Sequence, residues 1–305
     1  MTIPQVPVLI TWDVDPNTYF TPEHKRQSLQ AAIDLCREHG IAATFFFVAE
    51  EAAAYPEEIT EMQRLGQEVG CHGLTHGDEE EYDRMPEAMQ HSYIERATCL
   101  LEERAGTSIT AFRGPRVKTS SATLRLLAER GYLTDSSVCS QRLDFVSSNL
   151  INVGWLTAPR SAYRPHTDSA FKRGDLNILE VPIAALMLPF ISTTLYVLKL
   201  RVMKLLFRVL YAEARRRGKP IVYLAHPEEF GPQTWTRFKA SDWSLRRLRT
   251  HGLMLRKRLN ESNPETRLKL NRELFEYMAA WPGVRFMTMR DYARQTQHAL
   301  NAAAI

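Results

Sequence analysis

The chain contains 305 residues, of which 44% are hydrophobic and 24% are charged, and its formal net charge at pH 7 is +4. This balance is typical of an ordinary soluble globular protein, and so small a net charge gives no reason to expect a nucleic-acid partner. The length is too great for one small hydrophobic core. It suits one large α/β domain, or a catalytic domain with a modest extension.

Short apolar runs alternate with segments of helical periodicity along the chain. Residues 6–12 predict a buried strand, and Thr21 followed by Pro22 predicts the start of a helix that stops at Gly40. Further strands are predicted at 41–48, 68–71, 109–112, 132–134, 177–182, 221–225 and 284–288, and further helices at about 57–67, 87–105, 119–130, 196–217 and 291–304. This alternation indicates a parallel sheet with crossover helices.

Two carboxylates, Asp13 and Asp15, follow the first predicted strand. Acidic residues at this place often begin a turn or cap the next helix. The alternative is a role in metal chemistry, in which Asp15 supplies an oxygen ligand and Asp13 acts as a base beside the metal. The two residues alone do not decide between these interpretations.

Two histidines, His72 and His76, lie four residues apart after the strand at 68–71. The glycines around them, among them Gly73, favour a loop over a helix. Gly73 also occupies the place where a zincin has its catalytic glutamate, so a base would have to come from elsewhere. The pair therefore predicts either a metal site or structural histidines. The acidic run at 78–81 is predicted to be a solvated loop.

Polar residues follow the carboxyl ends of five predicted strands. They are Asp13 and Asp15, His72 and His76, Arg113, Asp135, and His226. In parallel barrels and in open α/β sheets, that edge is where active sites form. The sequence contains no Gly-rich dinucleotide fingerprint and no Walker loop, which disfavours nucleotide chemistry.

The N-terminus and the cysteines predict a cytoplasmic protein. Residues 1–10 lack the basic opening and apolar core of a signal peptide. The four cysteines show no C-x-x-C spacing and are predicted to be free thiols. The most apolar run, 183–198, contains Pro189 and is shorter than the roughly 20 residues that span a bilayer.

Taken in order, these residues resemble the five motifs of the NodB-homology polysaccharide deacetylase family, carbohydrate esterase family 4. The matching stretches are TWDVD at 11–15, HGLTH at 72–76, RGPR at 113–116, TDSS at 134–137 and LAH at 224–226. The resemblance covers about residues 6–230. It implies an α/β fold, a distorted (β/α)7-type barrel with additional C-terminal helices. Residues 1–235 would form the barrel, and residues 236–305 would form a helical extension that packs on it.

The resemblance also implies roles for the central residues. Asp15, His72 and His76 would bind a divalent metal, Zn²⁺ or alternatively Co²⁺, Ni²⁺ or Mn²⁺. Asp13 would accept a proton from the attacking water, and His226 would protonate the leaving amine.

The remaining site residues are expected to position these groups or to bind substrate. Arg113 would orient the base, and Asp135 would orient the acid. Arg116 stands where many members have Tyr, and the family uses its backbone N–H in the oxyanion hole. The exchange is therefore expected to alter the substrate rather than to abolish chemistry. Substrate contacts are predicted for Arg116, Tyr163 and Leu224.

The C-terminal third is basic, since residues 199–258 contain 16 Lys or Arg and 4 Asp or Glu. In the predicted helix at 196–217, an apolar stripe and a basic face indicate either an outer barrel helix or contact with an anionic membrane. Residues 241–258 place Trp243 among arginines, but no nucleic-acid-binding module is recognisable, so no nucleic-acid partner is predicted.

The function predicted from the sequence is metal-dependent removal of an N-acetyl group from an amino sugar in a glycan, a polysaccharide or a lipid-linked saccharide. It would serve cell-envelope assembly in the cytoplasm, with peripheral contact at the inner membrane surface and self-association as further expectations. Alternatives are deformylation of a lipid-linked amino sugar and allantoinase-like hydrolysis of a small cyclic amide. A third is a glycan-binding homologue without activity.

Overall fold

The computed structural model describes residues 4–142, 153–232 and 263–303. The strands are β1 (Val6–Val14), β2 (Ala43–Phe47), β3 (Glu68–Cys71), β4 (Ala111–Phe112), β5 (Thr134–Asp135), β6 (Pro165–His166), β7 (Ser169–Arg173), β8 (Leu179–Glu180), β9 (Ala185–Leu186), β10 (Leu188–Pro189), β11 (Ile221–Ala225) and β12 (Val284–Phe286). The helices are α1 (Pro22–Glu38), α2 (Pro56–Arg64), α3 (Glu87–Ala105), α4 (Ser121–Arg130), α5 (Val153–Thr157), α6 (Ser192–Arg217), α7 (Pro264–Ala279) and α8 (Met289–Ala303).

Seven parallel strands form one curved sheet in the order β11, β1, β2, β3, β4, β5 and β8. The chain that follows β8 contacts the other end strand, β11: the Ala184 amide donates to the Val222 carbonyl, and Ile191 forms a bridge with Leu224. The predicted distorted (β/α)7-type barrel is thereby confirmed. After it, β12 pairs with the first half of β1 and α7 packs on α6. The domain boundary predicted at residue 235 lies outside the described residues.

The side chains of β1 separate the two cores of the barrel. Val8, Ile10 and Trp12 belong to the cluster between the sheet and the helices, whereas Leu9 belongs to the cluster that lines the inner face. Because successive side chains of a strand point to opposite faces, Asp13 lies on the same inner face as Leu9. Asp13 therefore reaches the inside of the barrel at the carboxyl end of β1.

The main differences from the predicted elements lie between β5 and β11. The run at 183–198, predicted as one apolar segment, is divided into the β9–β10 hairpin and the start of α6. The β6–β7 hairpin and α5 were also not predicted, because elements of two to five residues are too short to show a period. Among the described residues, no helix combines the length and the apolar character that crossing a bilayer requires.

Candidate metal centre and active site

Asp15, His72 and His76 converge beyond the carboxyl ends of β1 and β3, and their ligand atoms lie within 4.8 Å of one another. Asp15 Oδ1 lies 3.2 Å from His72 Nε2 and 3.7 Å from His76 Nε2. Among the described residues this buried oxygen has no hydrogen-bond partner. A buried polar atom without a partner is costly, and one carboxylate with two imidazoles is a donor set that divalent zinc accepts. The three residues therefore fit a divalent metal.

The ring of His72 is held in one orientation by the loop after β4. His72 Nδ1 lies 2.7 Å from the carbonyl oxygen of Arg113. A carbonyl only accepts hydrogen bonds, so Nδ1 carries the proton in neutral His72, and Nε2 presents its lone pair towards Asp15. Metal-binding histidines are commonly oriented by such a bond at the other ring nitrogen.

The charges of the three residues also suit a cation. Burial disfavours the charge on Asp15, but His76 and His72 outweigh it and hold the pKa of Asp15 well below its usual range. Burial lowers the pKa of His76, which favours the neutral ligand form. For His72, burial acts in the same direction, but the carboxylates of Asp13 and Asp15 raise its pKa. A bound cation would displace the proton that these carboxylates attract.

Glu80 organises the histidine loop, a role that the predicted solvated loop at 78–81 did not include. Its side chain is fully buried and accepts hydrogen bonds from the backbone amides of Leu74, Thr75 and His76, each at 2.7 Å. The hydroxyls of Thr75 and Tyr82 donate two more. Three consecutive amides that point at one carboxylate fix the backbone up to the second histidine, where φ is 59°.

Gly73 makes this close approach of Glu80 feasible. Its φ is +81°, a conformation that side chains with a Cβ disfavour. A Cβ at this position would also lie 2.5 Å from Glu80 Oε1. The glycine between the two histidines is therefore required both by the turn and by the carboxylate behind it.

Asp13 lies beside the histidines and pairs with Arg113. Arg113 Nη1 donates to Asp13 Oδ1 at 2.8 Å, and Asp13 Oδ2 lies 3.8 Å from His72 Nε2. Arg113 is fully buried and also donates to Thr11 Oγ1 and to two oxygens of Ser136. This arrangement holds the guanidinium rigidly, so it fixes the position of one carboxylate oxygen and leaves the other directed towards the histidines.

Asp135 is not placed beside His226, which differs from the expectation that it orients that residue. Asp135 accepts from Ser137 Oγ at 2.5 Å and lies in register with Glu180 on β8. Both acids are fully buried and lie side by side on neighbouring strands. Burial and the neighbouring Asp135 raise the pKa of Glu180 well above its usual range, which favours the protonated form of Glu180. Ser137 in turn accepts from the Gly114 amide at 2.8 Å.

The carboxylate beside His226 is Glu229, which the sequence interpretation had not assigned a role. His226 Nδ1 lies 3.6 Å from Glu229 Oε1, and His226 Nε2 lies 3.9 Å from Asp15 Oδ2. Although burial opposes its charge, Glu229 and Asp15 raise the pKa of His226 to about 10. Ser192 and Tyr196 at the start of α6 each donate to Glu229. The i, i+3 spacing of His226 and Glu229 is the signal that could have identified this pair.

The three residues predicted to bind substrate occupy different environments. Arg116 has φ 57° and its guanidinium donates to the His76 and Gly77 carbonyls, so the side chain braces the histidine loop. Tyr163 is buried, and its hydroxyl donates to the Ala170 carbonyl at 2.6 Å, so the side chain is hydrogen-bonded to the β6–β7 hairpin. Leu224 is buried in the inner core, two residues before His226.

Comparisons with known proteins relate the chain to polysaccharide deacetylases. Residues 2–134 match the family model for polysaccharide deacetylases. A chitooligosaccharide deacetylase from Sinorhizobium fredii is 28% identical over 163 residues, which are 53% of this chain and 62% of the relative. One from Bradyrhizobium sp. is also 28% identical, over 53% of this chain and 61% of the relative. The chain thus matches less than two thirds of the length of these relatives.

Solved structures share the fold at lower identity. A putative polysaccharide deacetylase from Mycobacterium smegmatis superposes with a TM-score of 0.65 at 18% identity, covering 97% of this chain and 92% of the other. A probable polysaccharide deacetylase from Pseudomonas aeruginosa PAO1 gives a TM-score of 0.57 at 15% identity, covering 95% and 90%. At these identities the likeness establishes the fold alone.

Proposed function

Because residues 2–134 match the polysaccharide deacetylase family model, we propose that this chain belongs to that family and removes the N-acetyl group from an amino sugar by metal-dependent hydrolysis of the amide. The convergence of Asp15, His72 and His76 beside Asp13 is the observation that carries the proposal. Amide hydrolysis by an activated water requires a metal held by such ligand atoms, with a general base and a general acid close to it.

The metal centre is proposed to consist of Asp15, His72 and His76. When bound, a divalent metal supplies a Lewis acid that polarises the amide carbonyl and makes a water molecule more acidic. Zn²⁺ is the proposed ion, because two imidazoles and one carboxylate with further positions open form a common catalytic zinc set. Co²⁺, Ni²⁺ and Mn²⁺ are alternatives for the same ligands.

Asp13 is proposed to be the general base. Its Oδ2 faces the histidines, while Oδ1 is engaged by Arg113, so one oxygen is available to accept the proton of the attacking water. Arg113 is a positioning residue in this scheme. Its guanidinium pairs with Asp13 Oδ1, and three further oxygens and the ring of Phe46 hold it in place.

His226 is proposed to be the general acid. Glu229 and Asp15 favour its protonated form, and its Nε2 lies on the side of the metal ligands. In that state it donates a proton to the amine that leaves as the C–N bond breaks. The backbone amide of Arg116 is proposed to donate to the developing oxyanion, and the left-handed conformation of Arg116 sets the direction of that amide.

The test is release of acetate from N-acetylated amino sugars by purified protein, with a chelator-treated sample and a zinc-restored sample alongside. Acetate that disappears on chelation and returns with zinc supports the proposal. Formate from N-formylated substrates, or ammonia and acid from a cyclic amide, would favour one of the other amide-cleaving activities. Metal binding with no product from any substrate would favour a binding protein, although such a protein has no need for Asp13 and His226.

A cytoplasmic location is proposed alongside this activity. Cys36 and Cys71 are buried free thiols, and Cys99 is an exposed one. Free thiols are the usual state in a reducing compartment. The proposed partners are the sugar substrate and, for an envelope glycan, the membrane that carries it; nucleic acid is not among them.

A further inference from the structure

Exposed apolar side chains are concentrated on two neighbouring elements, the β9–β10 hairpin and the outer face of α6. Ten large hydrophobic side chains are exposed among the described residues, and seven of them belong to this surface. We call it the apolar surface; its members are Leu186, Met187, Leu188, Leu198, Val202, Leu205 and Val209. Contiguous apolar patches on folded proteins usually mark interaction sites, whereas scattered ones carry no meaning.

The apolar stripe of α6 is not the face that builds the core. Met203, Phe207 and Leu210 are buried against the barrel, whereas Leu205 is 60% exposed on the opposite side. The apolar stripe predicted in this helix therefore lies on its outer side, away from the barrel. Val202, Leu205 and Val209 follow the helical spacing i, i+3 and i+7, so they form one line along the outer face, whereas Leu198 lies just before a break in the helix at Lys199, where φ is 66°.

The hairpin adds further exposed apolar side chains and directly precedes α6 in the chain. Met187 occupies its turn with φ 60° and is 62% exposed, and leucines flank it on both sides. The hairpin contacts α6 through β9. Three consecutive apolar side chains at an exposed turn are unfavourable in water, and they could be buried in the apolar part of a lipid layer.

The exposed charges beside the apolar stripe of α6 are basic. Lys199, Arg201 and Arg208 are exposed on this helix. The helix contains one acidic residue, Glu213, which pairs with Arg160 and Lys219, and Arg160 also donates to the Ala185 carbonyl of β9. An apolar line flanked by basic residues is complementary to an anionic lipid surface, where acyl chains lie beneath negative headgroups.

The apolar surface begins at the rim of the proposed active site. Ile191, directly after the hairpin, bridges to Leu224, two residues before His226. Ser192 and Tyr196, in the first turns of α6, donate to Glu229 beside that histidine. A lipid layer that contacts the apolar surface would therefore lie next to the proposed active site.

We propose that the apolar surface docks on an anionic phospholipid bilayer and that the enzyme takes its amino sugar from a saccharide anchored in that bilayer. The docking stands on the exposed residues alone, while the substrate class rests on the proposed deacetylase function. The contact is peripheral: basic side chains meet the headgroups and the hairpin enters the interface. Each basic residue near such a surface strengthens binding about fivefold, and salt weakens it.

Flotation with phospholipid vesicles tests the docking. The full chain should float with vesicles that contain phosphatidylglycerol, and should float at least tenfold less with phosphatidylcholine alone or at high salt. Leu205→Asp and Arg201→Glu should each lose most of this binding. Met89→Asp is the matched control, because Met89 is an exposed apolar residue of α3, away from the apolar surface, and it should bind as the wild type does.

Several outcomes would overturn the docking. It fails if the wild type does not float with anionic vesicles, or if Leu205→Asp floats as the wild type does. It also fails if the wild type is a dimer without vesicle binding that Leu205→Asp converts to a monomer, since the apolar surface would then join two copies. Unchanged circular dichroism and unchanged activity on a soluble N-acetylated oligosaccharide establish that the variant is folded.

The substrate class has its own readout. Leu205→Asp should reduce acetate release from vesicle-anchored N-acetylglucosaminyl lipid at least tenfold, while release from the soluble oligosaccharide stays the same. Equal activity of variant and wild type on the anchored substrate would refute this part. Vesicle binding by a protein that releases acetate from neither substrate would contradict the proposed function and leave the docking intact.

Discussion

Replacing Glu80 by glutamine perturbs the histidine loop without touching a proposed metal ligand. The side chain keeps its size, but one carboxylate oxygen becomes an amide nitrogen and the charge is lost. Because backbone amides of residues 74–76 all donate to Glu80, the new N–H group would face other N–H groups. The turn that carries His76 should therefore relax, and His76 Nε2 should no longer be fixed near Asp15.

The structure sets the size of this effect. Glu80 accepts five hydrogen bonds, two at Oε1 and three at Oε2, so the exchange removes at least two. A hydrogen bond to a charged acceptor contributes about 1.5–3 kcal/mol. The free energy of unfolding of the metal-free protein should fall by about 3 kcal/mol or more. Loss of support behind a metal ligand typically weakens metal binding roughly 10–100-fold.

Zinc affinity is measured by competition with a chromophoric chelator, and stability by urea unfolding of the metal-free protein. Glu79→Gln is the matched control: Glu79 is the exposed neighbour, and zinc affinity should not change. Tyr82→Phe removes one of the five bonds and should give a several-fold weakening in a protein that is easier to fold. A folded Glu80→Gln variant with wild-type zinc affinity would refute the reasoning.

Three further predictions address the base, the buried acid pair and the turn after β4. Asp13→Asn should retain stoichiometric zinc and lose about 10²–10⁴-fold in kcat, so unchanged turnover would remove it from the base role. The pKa of Glu180 is raised on folding, so the stability it contributes is complete below its unfolded pKa and declines as pH rises. Urea unfolding should show Glu180→Gln gaining stability relative to the wild type between pH 5 and pH 8, by at most about 1.4 kcal/mol per pH unit, and a constant difference would contradict the raised pKa of Glu180. Gly114→Ala should cost about 3 kcal/mol, because its Cβ would lie 1.9 Å from the Lys118 carbonyl oxygen, whereas Gly106→Ala, with no atom within 4 Å, should cost about 1 kcal/mol.

The barrel and the grouping of polar residues follow from local signals in the sequence. Apolar runs with β-forming side chains mark the strands, and carboxyl ends of parallel strands meet at one edge. Asp15 and His72 are far apart along the chain but lie 3.2 Å apart through their side chains, because β1 and β3 both flank β2 and end at that edge.

The supporting residues could not be predicted, because their roles depend on contacts made across the fold. Glu80 lies in an acidic run whose composition is that of a solvated loop. The side chain is nevertheless fully buried and is hydrogen-bonded to three backbone amides. Asp135 lies beside Glu180 on the neighbouring strand β8. Because β8 has only two residues, the sequence shows no periodicity from which this neighbour could be predicted. The direction of the α6 stripe was also open, since an apolar line does not reveal which side of a helix meets the core.

The most direct measurement of the central claim is acetate release from an N-acetylated amino sugar by zinc-loaded protein, compared with the His72→Ala variant. The Nε2 atom of His72 lies close to both Asp13 and Asp15, so His72→Ala would remove one of the proposed metal ligands. The fold of the barrel should remain. The account predicts acetate release by the wild type, its loss on chelation, its return with zinc, and neither stoichiometric zinc nor acetate with His72→Ala. A His72→Ala protein that binds one zinc ion and releases acetate at the wild-type rate would contradict the account.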